Sequence, residues 1–126
     1  MKTKLYYTST STVTAENTAI ALGSGDMEVL ATPALVALME NAAMEAVIEE
    51  LDDEQTTVGA HIDVAHLRPT PIGETVHATA VLTEVEGRKL TFSVKAEDGH
   101  GVIGEGTHVR YIVDRHRFLG KLKRQD

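Results

Sequence analysis

Glu40, His66 and Thr32 have side chains and surroundings suited to acid, base or nucleophilic chemistry. Glu40 lies inside Ala31–Leu51, ATPALVALMENAAMEAVIEEL. Wound as a helix at about 100° per residue, that stretch puts Glu40 on one line with Pro33, Val36, Ala37, Ala43, Met44, Val47 and Leu51. All of those neighbours are apolar, whereas Glu45, Glu49 and Glu50 lie off the line. A carboxylate on a face made for burial is costly unless it is paired or employed. The two readings are a buried acid held by a basic group, and a base or nucleophile aimed into a dry site.

His66 closes an alternating segment, Thr56 to Leu67, in which Ala60, Ile62, Val64 and His66 share one face. A single histidine there is either a satisfied core residue or a proton carrier, and a helix bearing Glu40 packed on that face would give it a partner. Thr32 precedes Pro33 at the helix start, the pattern of an N-cap followed by proline at the first helical position. Capping alone would explain Thr32. The alternative is that it stands beside the N–H groups of Ala34 and Leu35, which would hold an oxyanion. Eight residues separate Thr32 from Glu40, roughly 12 Å along a helix. A common site therefore requires a substrate that spans the gap or a second subunit.

The positioning elements follow from the rest of the chain. Ser11–Leu22, rich in Thr and Val, is expected to be a strand, broken by Gly23-Ser24-Gly25-Asp26. The long helix follows and ends at Asp52-Asp53-Glu54. Four further strands are expected: Thr56–Leu67, Glu74–Glu86, Lys89–Glu97 and Val102–Asp114. Leu90, Phe92, Val94 and Ala96 alternate cleanly with polar residues. The sum is an α+β fold, a curved antiparallel sheet of about five strands wrapped around one central helix. Such a sheet leaves edges, and a dimer that extends it is expected.

A length of 126 residues with no linker suits one domain, residues 1–126. The net charge of −7 argues against a nucleic-acid binder, although Arg110 to Arg124 is locally basic, as a solvated tail or a landing point for the phosphates of a small ligand. With no cysteine and no helical histidine pair, neither a metal nor a thiolate nucleophile is expected. No stretch reads as a membrane span or a secretory signal, so a cytoplasmic protein is the expectation.

Ala31-Thr32-Pro33 with Leu38-Met39-Glu40, Val64-Ala65-His66 leading to Pro69-Thr70-Pro71-Ile72-Gly73, Val85-Glu86-Gly87-Arg88 and Gly104-Glu105-Gly106-Thr107-His108 together resemble the hotdog-fold acyl-CoA thioesterases, in particular the fluoroacetyl-CoA thioesterase subgroup. The resemblance implies a hotdog homodimer with two sites at the subunit interface, an acyl-CoA substrate and no cofactor. It makes Thr32, Glu40 and His66 the catalytic set and places Gly59 near the acyl group. Pro33, Ala34, Leu35 and Val36 at the helix start, with Arg68, complete the expected substrate contacts. Hydrolysis of a small or short-chain acyl-CoA is the resulting expectation. The alternatives are a hotdog enoyl-CoA hydratase or dehydratase and a non-catalytic acyl-CoA sensor.

Overall fold

The computed structural model describes residues 1–123. Strand β1 (Tyr6–Thr12) is followed by a 3₁₀ turn (Ala15–Asn17), a one-turn helix α1 (Ala19–Leu22) and the long helix α2 (Thr32–Val47), which runs into a second 3₁₀ turn (Ile48–Glu50). Strands β2 (Gln55–His66), β3 (Thr75–Glu86), β4 (Lys89–Asp98) and β5 (Gly101–Asp114) come next, and helix α3 (Arg115–Lys123) ends the described chain. The five strands form one antiparallel sheet, as the alternation of apolar residues leads one to expect, and the structure orders them β1-β3-β4-β5-β2. Helix α2 packs mainly across β1 and β3. No helix among the described residues is long and apolar enough to cross a membrane.

The core joins Leu35, Met39, Ala42, Ala43 and Val47 of α2 to Val76–Leu82 on β3 and Leu90–Ala96 on β4, taken at alternate positions. Each large aliphatic or aromatic side chain buried there contributes roughly 1.5–3 kcal/mol. The buried side of α2 therefore shares only Ala43 and Val47 with the line through Glu40. Pro33, Ala37 and Asn41 are exposed, Val36, Glu40 and Met44 are half-buried, and the Glu40 side chain is 40% exposed. The expectation of a carboxylate buried within its own chain is thus corrected. The part of the stripe formed by Pro33, Val36, Ala37 and Met44 is a second apolar face, which this chain leaves at least partly uncovered.

The expected strand Ser11–Leu22 is also corrected, since β1 stops at Thr12. Thr14 accepts the Glu16 N–H, the Asn17 side chain accepts the Thr14 N–H, and Thr18 caps α1 by accepting the Ala21 N–H. These Thr and Asn residues act as caps instead of strand formers, because their side-chain oxygens satisfy the free N–H groups of a helix start. Gly23 then closes α1 at φ +73°, where a side chain would be strained.

Strand β2 lies at the open edge of the sheet and carries a bulge between Gly59 and His61. It pairs with β5 so that Gly59 faces Arg110 and His66 faces Gly104. Helix α2 runs alongside with its start near His66 and Glu40 near Gly59, and this arrangement divides the expected site residues into two groups.

Candidate active site

Thr32 is not the cap of α2. Ala31 holds that position without a side-chain bond, Thr32 is the first helical residue and Pro33 the second. The Thr32 hydroxyl instead lies 2.7 Å from Nδ1 of His66, so capping does not account for it. Leu35 donates its N–H to the Ala31 carbonyl at 3.0 Å and its side chain is fully buried. The expected role of Leu35 as an oxyanion donor and substrate contact is corrected on that ground. Thr32 and Ala34 are the first-turn N–H groups outside the helical ladder, since Ala31 donates to the Asn17 carbonyl and Pro33 has none.

His66 is half-buried, and its other ring nitrogen, Nε2, is buried without a hydrogen-bond partner among the described residues. Burial lowers its pKa below the ordinary histidine value of 6.5, with the backbone at Arg68 working weakly against it. The ring is thereby kept neutral near pH 7, the form that accepts a proton. Thr32 and His66 line a recess of about 290 Å³ with Leu30, Leu67, Arg68 and Pro69 among its walls. Arg68 donates to the His100 carbonyl at 2.9 Å and stands 3.9 Å from Asp98, yet its side chain remains 44% exposed.

The second group forms around Glu40. A Cβ placed on Gly59 would come within 2.8 Å of Glu40 Oε2, so glycine there admits the carboxylate. Arg110 Nη1 is 4.0 Å from the same oxygen. The Arg110 side chain is 8% exposed; its Nε donates to Thr57 Oγ1 at 2.8 Å and its Nη2 to the Thr57 carbonyl at 2.9 Å. Nη1 also donates to His108 Nε2 at 3.3 Å, while His108 Nδ1 donates to the His61 carbonyl at 2.7 Å. These bonds fix His108 as the neutral tautomer protonated on Nδ1. Burial, aided by the Arg110 charge, lowers its pKa, while the His61 carbonyl and Glu40 act in the other direction. Glu40, Gly59 and His108 line a separate recess of about 160 Å³.

Within one chain the structure brings Thr32 to His66 and Glu40 to Gly59, but it does not bring Glu40 to His66. The facing pair expected from the sequence is corrected in this respect. His108, Arg110 and Thr57 were missed as members of the Glu40 cluster. The signal was the period of two in β5, which sets His108 and Arg110 on the same inward face. Arg110 belongs to a strand and is buried, so it is no part of a solvated tail. Farther along, Arg88, Arg117, Phe118 and Lys121 border a cavity of about 350 Å³, and Arg124 lies outside the described residues.

The sequence and the fold match known proteins. The sequence profile of a family described as fluoroacetyl-CoA-specific thioesterase matches residues 13–116. The chain is 41% identical over 98 residues to the fluoroacetyl-CoA thioesterase of Streptantibioticus cattleyicolor, covering 78% of this chain and 70% of that one. A solved structure of a fluoroacetyl-CoA thioesterase superposes with a TM-score of 0.93 at 34% identity, over 100% of this chain and 98% of that one. A hot-dog-like protein from Thermanaerovibrio acidaminovorans shares the fold, with a TM-score of 0.90 at 24% identity over 100% and 94% of the two chains. The curled sheet on its long helix α2 and the profile match over most of the chain agree: this protein belongs to the fluoroacetyl-CoA-specific thioesterase family.

Proposed function

We propose that the protein hydrolyses a short-chain acyl-CoA thioester in a homodimer, with each site assembled from Thr32 and His66 of one subunit and Glu40 of the partner subunit. The observation that carries this reading is the 2.7 Å contact between the Thr32 hydroxyl and a half-buried, neutral imidazole. A hydroxyl within hydrogen-bond reach of a base is the arrangement of an activated nucleophile. His66 Nδ1 takes the Thr32 proton as Oγ1 attacks the thioester carbonyl. The tetrahedral oxyanion is met by the free N–H groups at the start of α2. The C–S bond breaks, CoA leaves as the thiol with the proton from the imidazolium, and the acyl group remains on Thr32. Water, deprotonated by the same imidazole, then releases the acid and restores Thr32.

The dimer reading rests on two faces that one chain leaves open, the α2 stripe around Val36 and the β2 edge. A two-fold interface makes residue i meet j and j meet i. An axis near Val36 of α2 pairs Thr32 with Glu40 of the partner subunit, since both lie four residues from it. An axis near Ile62 and Asp63 of β2 pairs His66 with Gly59 of the partner subunit. A single two-fold axis passing both points would satisfy both pairings and would bring a carboxylate toward Nε2 of His66.

The acyl group is read as a short alkyl chain. Leu22–Glu28, close to the recess beside Thr32, contains no aromatic side chain to close over a fluoromethyl group. A second reading, with Glu40 itself as nucleophile, draws on the Arg110 guanidinium beside it. The experiment is thiol release from a panel of acyl-CoAs by the wild type and by Thr32→Ala, His66→Ala and Glu40→Gln, with mass spectrometry of trapped acyl-enzyme. An acyl group on Thr32 supports the first reading and one on Glu40 the second. Unchanged thiol release in all three variants would end both.

A further inference from the structure

Asp98 is a carboxylate that the proposed reaction does not use. It closes β4 and its side chain is 1% exposed. Oδ2 accepts the Thr70 hydroxyl at 2.9 Å, Oδ1 accepts the His100 N–H at 2.8 Å, and Arg68 Nη2 stands 3.9 Å from Oδ1. Burial pushes this carboxyl up, but the His100 N–H, the Thr70 hydroxyl and the nearby charges of Arg68 and His100 together hold it below the ordinary aspartate value. The carboxylate is thus a firm acceptor at neutral pH.

Thr70 is itself fully buried, and its carbonyl accepts the Leu30 N–H at 2.9 Å. Leu30 lies just ahead of Thr32, and Thr70 just beyond His66. The Leu67 and Arg68 N–H groups hold the start of this turn on the Ile103 carbonyl; Pro69 and Pro71, which flank Thr70, offer no N–H, so at its centre the Thr70 hydroxyl and carbonyl make the tie. A continuous path therefore runs from Asp98 through Thr70 to the segment that delivers Thr32, and the same turn carries His66.

We propose that Asp98, acting through Thr70, is a positioning residue that sets the approach of Thr32 to His66. The strut holds the chain entering α2 against the chain leaving β2, and the 2.7 Å contact lies between them. This inference rests on Thr32 and His66 being the reacting groups. A displacement of about 1 Å at such a contact costs on the order of 100-fold in rate.

The test compares Thr70→Val, Thr70→Ser and, as a core variant remote from the strut, Leu82→Ala. For each, kcat and KM on a short acyl-CoA are measured with thermal stability, and the His66 ring is titrated by NMR. Thr70→Val is expected to lower kcat about tenfold or more with KM within about twofold, and to move the His66 midpoint upward as the ring loosens. Thr70→Ser restores both, and Leu82→Ala loses stability without moving the midpoint. Where Thr70→Val does not fold, Asp98→Asn keeps the shape and is expected to move the midpoint in the same direction. Stability loss with wild-type kcat and an unmoved midpoint would show the strut to be a structural tie alone and overturn the inference. Full turnover in His66→Ala would sink the proposed reaction instead, and the NMR midpoint would still decide the strut.

Discussion

Thr32 Oγ1 and His66 Nδ1 lie 2.7 Å apart, although one opens a helix and the other ends a strand 34 residues later. Removing the hydroxyl without changing the shape isolates that contact. Thr32→Val is expected to lower kcat by roughly 10²–10⁴ with little change in melting temperature, while Thr32→Ser retains much of the rate. Steady-state kinetics beside thermal melts check this, and a Thr32→Val enzyme at wild-type rate would remove Thr32 from the reaction.

The separation of Glu40 from Thr32 within one chain makes the subunit arrangement measurable. Thr32→Ala and Glu40→Gln are each expected to be inactive alone. Mixed after reversible dissociation, they would regain up to about a quarter of the wild-type rate, because half of the dimers are mixed and each of those carries one intact site. Failure to regain activity, with mixed dimers verified by mass spectrometry, would show that Glu40 of one subunit does not complete the Thr32–His66 site of the other.

Gly59 is expected to matter for turnover more than for folding. A Cβ there meets the flexible end of Glu40, which can move aside, so Gly59→Ala should change stability by less than about 1 kcal/mol. The displaced carboxylate should nevertheless lower kcat/KM by on the order of tenfold or more. Denaturant melts and kinetics on the same preparation separate the two effects.

His66 and His108 both have pKa values lowered by burial, so in mild acid the unfolded chain binds more protons than the folded one. Stability is therefore expected to be full above the ordinary histidine value of 6.5 and to fall as pH drops below it. His66→Gln should flatten part of that fall. Melting temperatures between pH 5 and 8 test this, and a wild-type curve that is level from 7 to 5 would contradict it.

The sheet was legible wherever one face is buried and the other wet. In β4 the apolar residues alternate without interruption, and the strand and its core face follow from that alone. Thr14, Asn17 and Thr18 defeated the same reasoning, because their types suit both strands and caps and only the hydrogen-bond pattern separates the two. Glu40 stands out in the sequence as a carboxylate on an apolar stripe, but such a stripe does not say which surface will cover it. Arg110 was hidden by its basic neighbours Arg115 and Arg117; its burial depends on Thr57, distant in sequence and met only through the pairing of β5 with β2.

The uncovered stripe on α2 and the open β2 edge have a consequence for how the protein would be controlled. If neither half-site works alone, specific activity becomes a readout of mass action and rises with protein concentration until the subunits are fully paired. A substrate that bridges the two halves would hold the pair together and draw more chains into it. The amount of thioester present would then help decide how much enzyme exists to remove it.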